Sequence, residues 1–291
     1  MRVRDAAHLR RQRFVQWTLL AVVLFPGTIT VSYSQETRSP KAKTSEVIED
    51  NSFFVEEAYN QEERVVQHIS GLQYFPALDK DLLYTFTQEW PLSGRDHQLS
   101  YTIPFSLYNA THPGGVSDIF LNYRYQLFAD DEGTAIAPRL SIILPTGKVQ
   151  SGLGGGATGV QVNIPASKRL SDSFVAHLNA GFTYVPNMKE EPVPSQTIKH
   201  SLTSFNFGAS IIWLTAESYN LMLEYTTTFS SDVFEHGITE RSTTVILSPG
   251  FRYAINLNAL QIVPGIGIPI IMGSGTARAG IFLYLSFEHP Y

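Results

Sequence analysis

Residues 280–291 read G-I-F-L-Y-L-S-F-E-H-P-Y, and this short stretch decides the fold class. Its alternate residues form an apolar set and a mixed set, which are Ile281, Leu283, Leu285 and Phe287 against Phe282, Tyr284, Ser286 and Glu288. A period of two residues predicts a β-strand with one apolar face. Such a strand exposes an unpaired edge unless another strand covers it. The simplest partner is the first strand of the same chain, and that pairing would close the sheet into a ring.

The same alternation recurs through most of the chain and predicts about twelve strands. Representative apolar faces are Leu82, Tyr84, Phe86 and Trp90, then Leu121, Tyr123, Tyr125 and Leu127, then Leu221, Leu223, Tyr225 and Phe229. These faces carry no charge, as expected where a Lys or Arg facing lipid would cost roughly 2–4 kcal/mol. The opposite faces carry mostly Ser, Thr, Asn and Gln, whereas the outer face of a soluble sandwich typically carries many Lys and Glu. The pattern predicts an all-β fold, a closed antiparallel transmembrane β-barrel.

The N-terminal region has the pattern of an exported protein. An apolar stretch at residues 17–31 follows a basic segment that contains Arg2, Arg4, Arg10, Arg11 and Arg13. Small residues around Ser34 predict cleavage after that position. The apolar stretch is shorter than the roughly 20 residues of a spanning helix, which disfavours a membrane anchor. The predicted domains are a signal peptide at 1–34, an N-terminal arm or plug segment at 35–64 and the barrel at 65–291.

Composition excludes several classes of site. The 291 residues include no Cys, so no disulfide, thiolate metal site or thiol nucleophile can form. A net charge of −5 disfavours a nucleic-acid partner. The eight His residues do not cluster at metal-binding spacing. The sequence therefore predicts neither a metal nor a cofactor.

The lengths of the connections predict how the barrel is oriented. Short turns are predicted at 129–133, 170–173, 215–219 and 256–258, and long loops at 108–115, 146–159, 186–201 and 230–241. Short periplasmic turns that alternate with longer outer loops are typical of bacterial outer-membrane barrels. Aromatic residues also gather near both predicted membrane surfaces. Five prolines fit this interpretation poorly, because they lie inside predicted strands: Pro104, Pro138, Pro165, Pro249 and Pro264.

Three stretches resemble a known family. They are N-S-F-F-V-E-E-A-Y-N-Q-E at 51–62 with V-V-Q-H at 65–68, E-W-P at 89–91 with H-Q-L-S-Y-T-I-P-F at 97–105, and I-L-P-T-G at 143–147. Together they resemble the outer-membrane family labelled MetA-pathway of phenol degradation, whose members are often called transporter-like. The resemblance covers the chain from about residue 51 onward. It implies uptake of small compounds, with aromatic ones suggested by the label, and it implies no catalytic residues.

Charged and polar residues on the non-lipid faces are the candidates for lining the lumen. They are Arg124, Arg139, Glu224, Arg252, Asp118, Asn122 and His177. Glu224 and Arg252 lie nearly equidistant from the turn between their strands, which predicts that they sit side by side. His177 stands alone on its face and is predicted to be a hydrogen-bonded wall residue.

Arg124 and Arg139 are predicted to pair across one ladder in the same way. Two like charges at that distance need a counter-ion. Asp118, Glu89 or the acidic arm at residues 56–57 could supply it. The charged set could form a selectivity ring. A network that fills and stiffens a narrow lumen is the alternative.

The predicted function is passive movement of small solutes through an outer-membrane channel, in contact with lipid and without enzymatic activity. A structural barrel with a plugged lumen is one alternative. A lipid hydrolase is another, but the lipid-facing positions are predicted to carry no His and Ser pair on neighbouring strands, and His177 with Ser204 would point inward. The glycine-rich stretch at 152–157 is predicted to be an outer loop, because a strand with Pro165 follows it and not a phosphate-binding helix.

Overall fold

A computed structural model of the chain describes residues 52–76, 81–108, 114–193, 196–273 and 276–291. The predicted signal peptide at 1–34 lies outside the described residues. Eighteen strand segments line up end to end as twelve wall strands. These are β1 Val65–Phe75, β2 Asp81–Ser93, β3 His97–Tyr108, β4 Gly115–Val116 with Ile119–Tyr125 and Phe128–Ala129, β5 Thr134–Ile136 with Arg139–Leu144, β6 Gly159–Ser171, β7 Phe174–Val193, β8 Gln196–Ala216, β9 Tyr219–Phe234, β10 Thr239–Tyr253 with Ile255–Leu257, β11 Leu260–Gly267 with Ile270–Gly273, and β12 Thr276–Ala279 with Ile281–Pro290.

The sheet closes on itself. Each strand pairs antiparallel with the next, and β12 pairs with β1 from Val65↔Pro290 to Tyr74↔Ile281. The Tyr291 N–H extends this seam by donating a hydrogen bond to the Arg64 carbonyl at 3.0 Å. A closed ring leaves no strand edge for another chain to pair with. The predicted closed antiparallel β-barrel is confirmed.

The two faces of the wall have the chemistry that the sequence predicts. Leu121 and Leu223 point outward, and each is 46% exposed. Arg124 and Glu224 lie on the opposite face and are buried inside the ring. An exposed apolar exterior around a polar interior is the arrangement of a barrel that sits in lipid. Among the described residues, no helix has the length and apolar character needed to cross a membrane.

Most of the prolines coincide with interruptions in a neighbouring strand. The Pro104 carbonyl accepts the Ser117 N–H at 2.8 Å, where β4 breaks, and the Pro249 carbonyl accepts the Ile268 N–H at 2.9 Å, where β11 breaks. Pro138 itself lies in the break of β5. Proline has no N–H to donate, but an irregular residue opposite it does not require that hydrogen bond. The prolines are therefore compatible with a closed wall.

Two of the predicted long loops are wrong. Residues 186–201 and 230–241 belong mainly to strands, because β7 and β8 have 20 and 21 residues and β9 and β10 run to Phe234 and from Thr239. At about 3.3 Å per residue β7 is roughly 65 Å long, more than a tilted strand needs to cross an apolar band of roughly 25 Å. These hairpins project beyond the outer membrane surface. Both faces of these hairpins carry polar residues, so the sequence lacks the apolar alternation of a strand and predicts a loop.

The membrane-facing assignment can be tested with one strand. We expect Leu223→Arg to lower the free energy of unfolding by roughly 2–4 kcal/mol, because the charge would face hydrocarbon. Val233→Arg on the same strand is the matched control, since Val233 is also 46% exposed but lies in the projecting hairpin. Its cost should be about 0–1 kcal/mol. Urea unfolding in detergent micelles measures both values, and equal costs would contradict the assignment.

Candidate functional site: a lumen occupied by an N-terminal segment

Residues 52–64 run inside the barrel and are called the plug segment below. The segment enters beside the periplasmic turns, where Arg95 pairs with Glu62 at 2.7 Å and the Tyr59 hydroxyl donates to the Gly133 carbonyl at 2.9 Å. It rises to Ser52, whose hydroxyl is 2.5 Å from that of Ser210 on β8. The sequence left a periplasmic arm and a lumen segment open. The structure places these residues in the lumen.

Wall side chains satisfy the backbone of the plug segment. Five strands supply acceptors for its N–H groups: Glu224 for Phe54 at 2.7 Å and Val55 at 3.1 Å, Asn179 for Glu56 at 2.8 Å, Ser167 for Ala58 at 2.8 Å, Gln126 for Asn60 at 3.0 Å and Gln98 for Gln61 at 2.7 Å. Arg124 and Gln126 donate in return to the carbonyls of Glu57 and Ala58 at 2.9 and 2.7 Å. A buried extended backbone requires such partners. Much of the polar inner face therefore serves to hold the plug segment.

Phe53 anchors the upper part of the plug segment in a glycine-lined notch. Its ring centroid lies 5.2 Å from those of both Phe282 and Tyr284. A Cβ atom added to Gly265 would lie 2.7 Å from the Phe53 ring, and one added to Gly250 would lie 2.8 Å from it. The notch exists because these wall positions have no side chain.

Arg139 and Arg124 each form an ion pair in the lumen. The Arg139 guanidinium contacts the Glu56 carboxyl at 2.5 and 2.9 Å, and Arg124 contacts Glu89 at 3.3 Å. Burial raises the pKa of the Glu56 carboxyl, but the attraction of Arg139 and hydrogen bonding to it bring the net pKa below its ordinary value. Glu56 therefore stays ionised at neutral pH. The plug segment itself supplies one of the two counter-ions.

Four of the predicted lumen residues have neighbours or hydrogen-bond partners inside the barrel. Arg124 and Arg139 face each other in the β4–β5 register, as the sequence predicts. Asn122 accepts a hydrogen bond from Arg139 at 3.1 Å, and His177 is fully buried with Nδ1 2.7 Å from the Ser167 hydroxyl. The sequence did not identify the remaining acceptors, because nothing in an isolated Ser, Asn or Gln marks it as a partner for backbone.

The prediction that Glu224 and Arg252 lie side by side is wrong. In the β9–β10 register Glu224 pairs with Ser248, and Arg252 pairs with Asn220. The turn at residues 235–238 does lie near the centre of the predicted loop, but Glu224 is six residues before that loop and Arg252 is eleven residues after it, so the two are not equidistant from the turn. Both side chains are nevertheless fully buried in the lumen.

Asp118 is not a counter-ion for the arginines. Its carboxyl oxygens accept the N–H groups of Gly147 and Gly155, each at 2.9 Å. The same loop contacts β7, where the Gly155 carbonyl accepts the Lys189 N–H at 2.8 Å. Asp118 therefore holds the glycine-rich loop against the outer end of the barrel.

Exchange of amide protons can test the role of Asp118. Asp118→Ala leaves two backbone N–H groups without their acceptor, which costs about 1–3 kcal/mol of local order. We expect the Gly147 and Gly155 amides to exchange at least about tenfold faster, since 1.4 kcal/mol corresponds to a factor of ten. Asp118→Asn keeps one acceptor oxygen and should have a smaller effect. Unchanged exchange in the alanine variant would contradict this role.

A cavity remains between the plug segment and the wall, and most of its wall residues lie on β1–β4. Its volume is about 260 Å³. Hydroxyl groups line one part of it, and they belong to Thr85, Thr87, Ser100 and Thr102. Ile69, Pro104 and Phe120 make another part apolar, and the two ion pairs border it. The space suits a small neutral molecule or water.

The outer face carries polar residues that the sequence analysis missed. Ser70 on β1 and His289 on β12 both point outward, but they are not a pair, since Ser70 lies opposite Leu285 and His289 lies opposite Val66. Gly71 blurred the alternation of β1 and hid the outward position of Ser70. The Ser70 hydroxyl contacts the Tyr84 hydroxyl at 3.1 Å, not an imidazole. Within the described ranges, no group of three or more His, Asp or Glu residues could hold a metal ion.

The closed wall, its apolar exterior and its polar interior define a β-barrel of the bacterial outer membrane. Its fold is similar to the crystal structure of the COG4313 outer membrane channel from Pseudomonas putida F1, with a TM-score of 0.60, 10% identity, and coverage of 80% of this chain and 98% of that one. The NanC porin gives a TM-score of 0.46 at 8% identity, covering 78% of this chain and 100% of that chain. The CymD monoaromatic hydrocarbon channel gives a TM-score of 0.42 at 10% identity, covering 79% of this chain and 89% of that chain.

These likenesses concern the fold. No family model matches the sequence, and no curated protein does. The resemblance to the phenol-degradation family therefore stays a prediction.

Proposed function

We propose that the barrel is a channel for small solutes that is closed while the plug segment is docked and conducts when the segment is displaced. One observation carries this proposal: the twelve-stranded ring is complete without the plug segment. The segment is held by side chains of the wall and adds no strand to the sheet. Its displacement would therefore break no ladder of the barrel.

The lining of the lumen supports a small and uncharged solute. The two arginines near the cavity are paired with Glu56 and Glu89, so neither offers a free positive charge to an anion. Hydroxyl groups and apolar side chains border the same space. This lining is compatible with the small and aromatic compounds that the family resemblance implies. Arg124, Arg139, Glu224, Arg252 and Asn122 would border the path once the plug segment leaves.

A structural barrel with a permanently plugged lumen is the second candidate. The number of hydrogen bonds on the plug segment and its buried ion pair with Arg139 favour it. The two candidates differ in what happens when the plug segment is absent: a channel conducts, whereas a structural barrel has no transport to reveal.

Planar-bilayer conductance tests the proposal. Deleting residues 35–61 removes most of the plug segment but keeps Glu62, whose carbonyl accepts the Val65 N–H at 3.1 Å, and Arg64 at the seam. We expect the full chain to show rare openings and the deletion variant to conduct at least about tenfold more on average, because an unfilled lumen admits water. Heat-dependent mobility in electrophoresis controls for folding. A folded deletion variant that conducts no more than the full chain would refute the channel.

A further inference from the structure

The outer wall is not uniformly apolar. The described outward-facing side chains of β4–β11 that cross the hydrocarbon layer are almost all apolar, as Leu121, Leu223 and Ile266 illustrate. The neighbouring strands β12 to β3 instead place polar groups on this face. These are called the polar row below and comprise His289 on β12, His68 and Ser70 on β1, Gln88 on β2 and Tyr101 on β3.

The register makes the polar row continuous. His68 pairs with Gln88, and Gln88 pairs with Tyr101. The Tyr101 hydroxyl donates to the Gln88 side-chain oxygen at 2.7 Å, and the Nε2 atoms of His68 and His289 lie 3.3 Å apart. A Gln amide also carries two N–H donors. The described residues provide no acceptor for those of Gln88.

The depth of the polar row makes it costly in lipid. Trp90 lies on the same face of β2, two residues nearer the periplasmic end, where aromatic side chains mark the membrane surface. Gln88 is therefore on the hydrocarbon side of that belt. Polar side chains inside a membrane usually face protein or water and not acyl chains. A protein surface that pairs with the polar row would remove this cost.

The chemistry of the polar row selects its partner. It contains no Lys, Arg, Asp or Glu, so it offers no opposite charge to an anionic lipid headgroup. Each amide, hydroxyl and imidazole can both donate and accept a hydrogen bond. A surface that carries both functions is complementary to itself under two-fold rotation, which is the requirement of an isologous dimer.

Aromatic side chains pack beside the polar row on the same outer face. Phe86 lies 6.1 Å from Tyr101 and 6.2 Å from His68 between ring centroids, and Trp90 lies 5.9 Å from Tyr101. Aromatic residues are enriched in protein interfaces, and polar side chains form hydrogen bonds across protein contacts inside membranes. We propose that the outer face of β12–β3 is the interface through which two copies of this chain associate in the membrane.

Cysteine cross-linking tests the proposal directly, because the chain has no Cys of its own. Leu92 and Leu170 are both 57% exposed near the periplasmic end, but Leu92 lies on β2 and Leu170 on β6, four strands away. We expect Leu92→Cys in the full chain to form a covalent dimer in native outer membranes. Leu170→Cys should not. Equal cross-linking at both positions, cross-linking at neither, or an adduct of Leu92→Cys with a different protein would overturn the proposal.

A second measurement uses Gln88→Leu. This change removes the amide from the polar row and leaves an apolar residue facing lipid, so the barrel itself should fold as before. We expect the dissociation constant of the dimer, measured by single-molecule photobleaching in bilayers, to rise about fivefold. Leu223→Met on the opposite side of the barrel should leave it unchanged. A wild-type chain that stays monomeric, with bound phospholipid lost in Gln88→Leu, would show that the row binds lipid and would refute the dimer.

Discussion

Replacing Glu224 by alanine is expected to release the plug segment from the lumen. The Glu224 carboxyl is fully buried, and one of its oxygens accepts the N–H groups of both Phe54 and Val55. Alanine leaves these donors without their acceptor and removes a carboxyl group that interacts electrostatically with Arg252. The combined loss should cost roughly 3 kcal/mol of docking free energy, which is roughly a hundredfold in the docked population.

A cysteine reporter can measure this release. Ser52 is buried at the inner end of the plug segment, and Ser52→Cys changes its size little. The rate at which a water-soluble maleimide labels the cysteine reports how often the segment leaves the lumen. We expect Glu224→Ala to raise the rate roughly a hundredfold, in line with the docking cost. Glu224→Gln keeps an acceptor oxygen and should raise it far less. Similar rates for the two variants would show that these hydrogen bonds do not hold the plug segment.

The second large effect is expected from the notch that receives Phe53. Gly265→Val would place methyl groups where the Phe53 ring lies, since a Cβ atom alone would already be 2.7 Å from it. The β-branched residue suits a strand, so the wall should tolerate it. Overpacking of this kind costs about 1–3 kcal/mol, and the labelling rate of the same reporter should rise roughly tenfold.

Two further variants separate the notch from a general effect on the barrel. Gly273→Val introduces the same side chain on β11, where the nearest heavy atom to an added Cβ is 3.5 Å away. It should leave the labelling rate unchanged. Phe53→Ala should remove most of the additional effect of Gly265→Val, because the clash disappears with the ring. Additive effects of the two changes would contradict a direct contact.

The fold could be predicted from the sequence because the membrane makes the periodicity strict. Leu223 and Tyr225, for example, alternate with the polar residues Glu224 and Thr226, and a shift of one position would turn the Glu224 carboxyl toward lipid. The prediction from apolar alternation failed where the strands do not face lipid. Residues 186–193 and 196–201 lie on strands that project beyond the membrane, so their faces carry no apolar alternation, and this part of the hairpin was predicted as a loop.

The site was harder to predict than the fold. Residues 54–61 donate through their backbone N–H groups, which every sequence has, so no side chain marks the contacts. The ion pair of Glu56 with Arg139 was among the open alternatives, because the sequence shows the two opposite charges but not the distance between them. The pairing of Glu224 with Arg252 failed because the two residues lie at different distances from the turn between their strands.

The seam between β1 and β12 lies at the root of the plug segment, because Val65 follows directly on residues 52–64 and pairs with Pro290. If β1 slipped by two residues along β12, it would carry the attached segment roughly 7 Å along the barrel axis. Most N–H groups of the segment would then miss their acceptors. The register of β1 against β12 therefore determines how far the plug segment extends into the lumen.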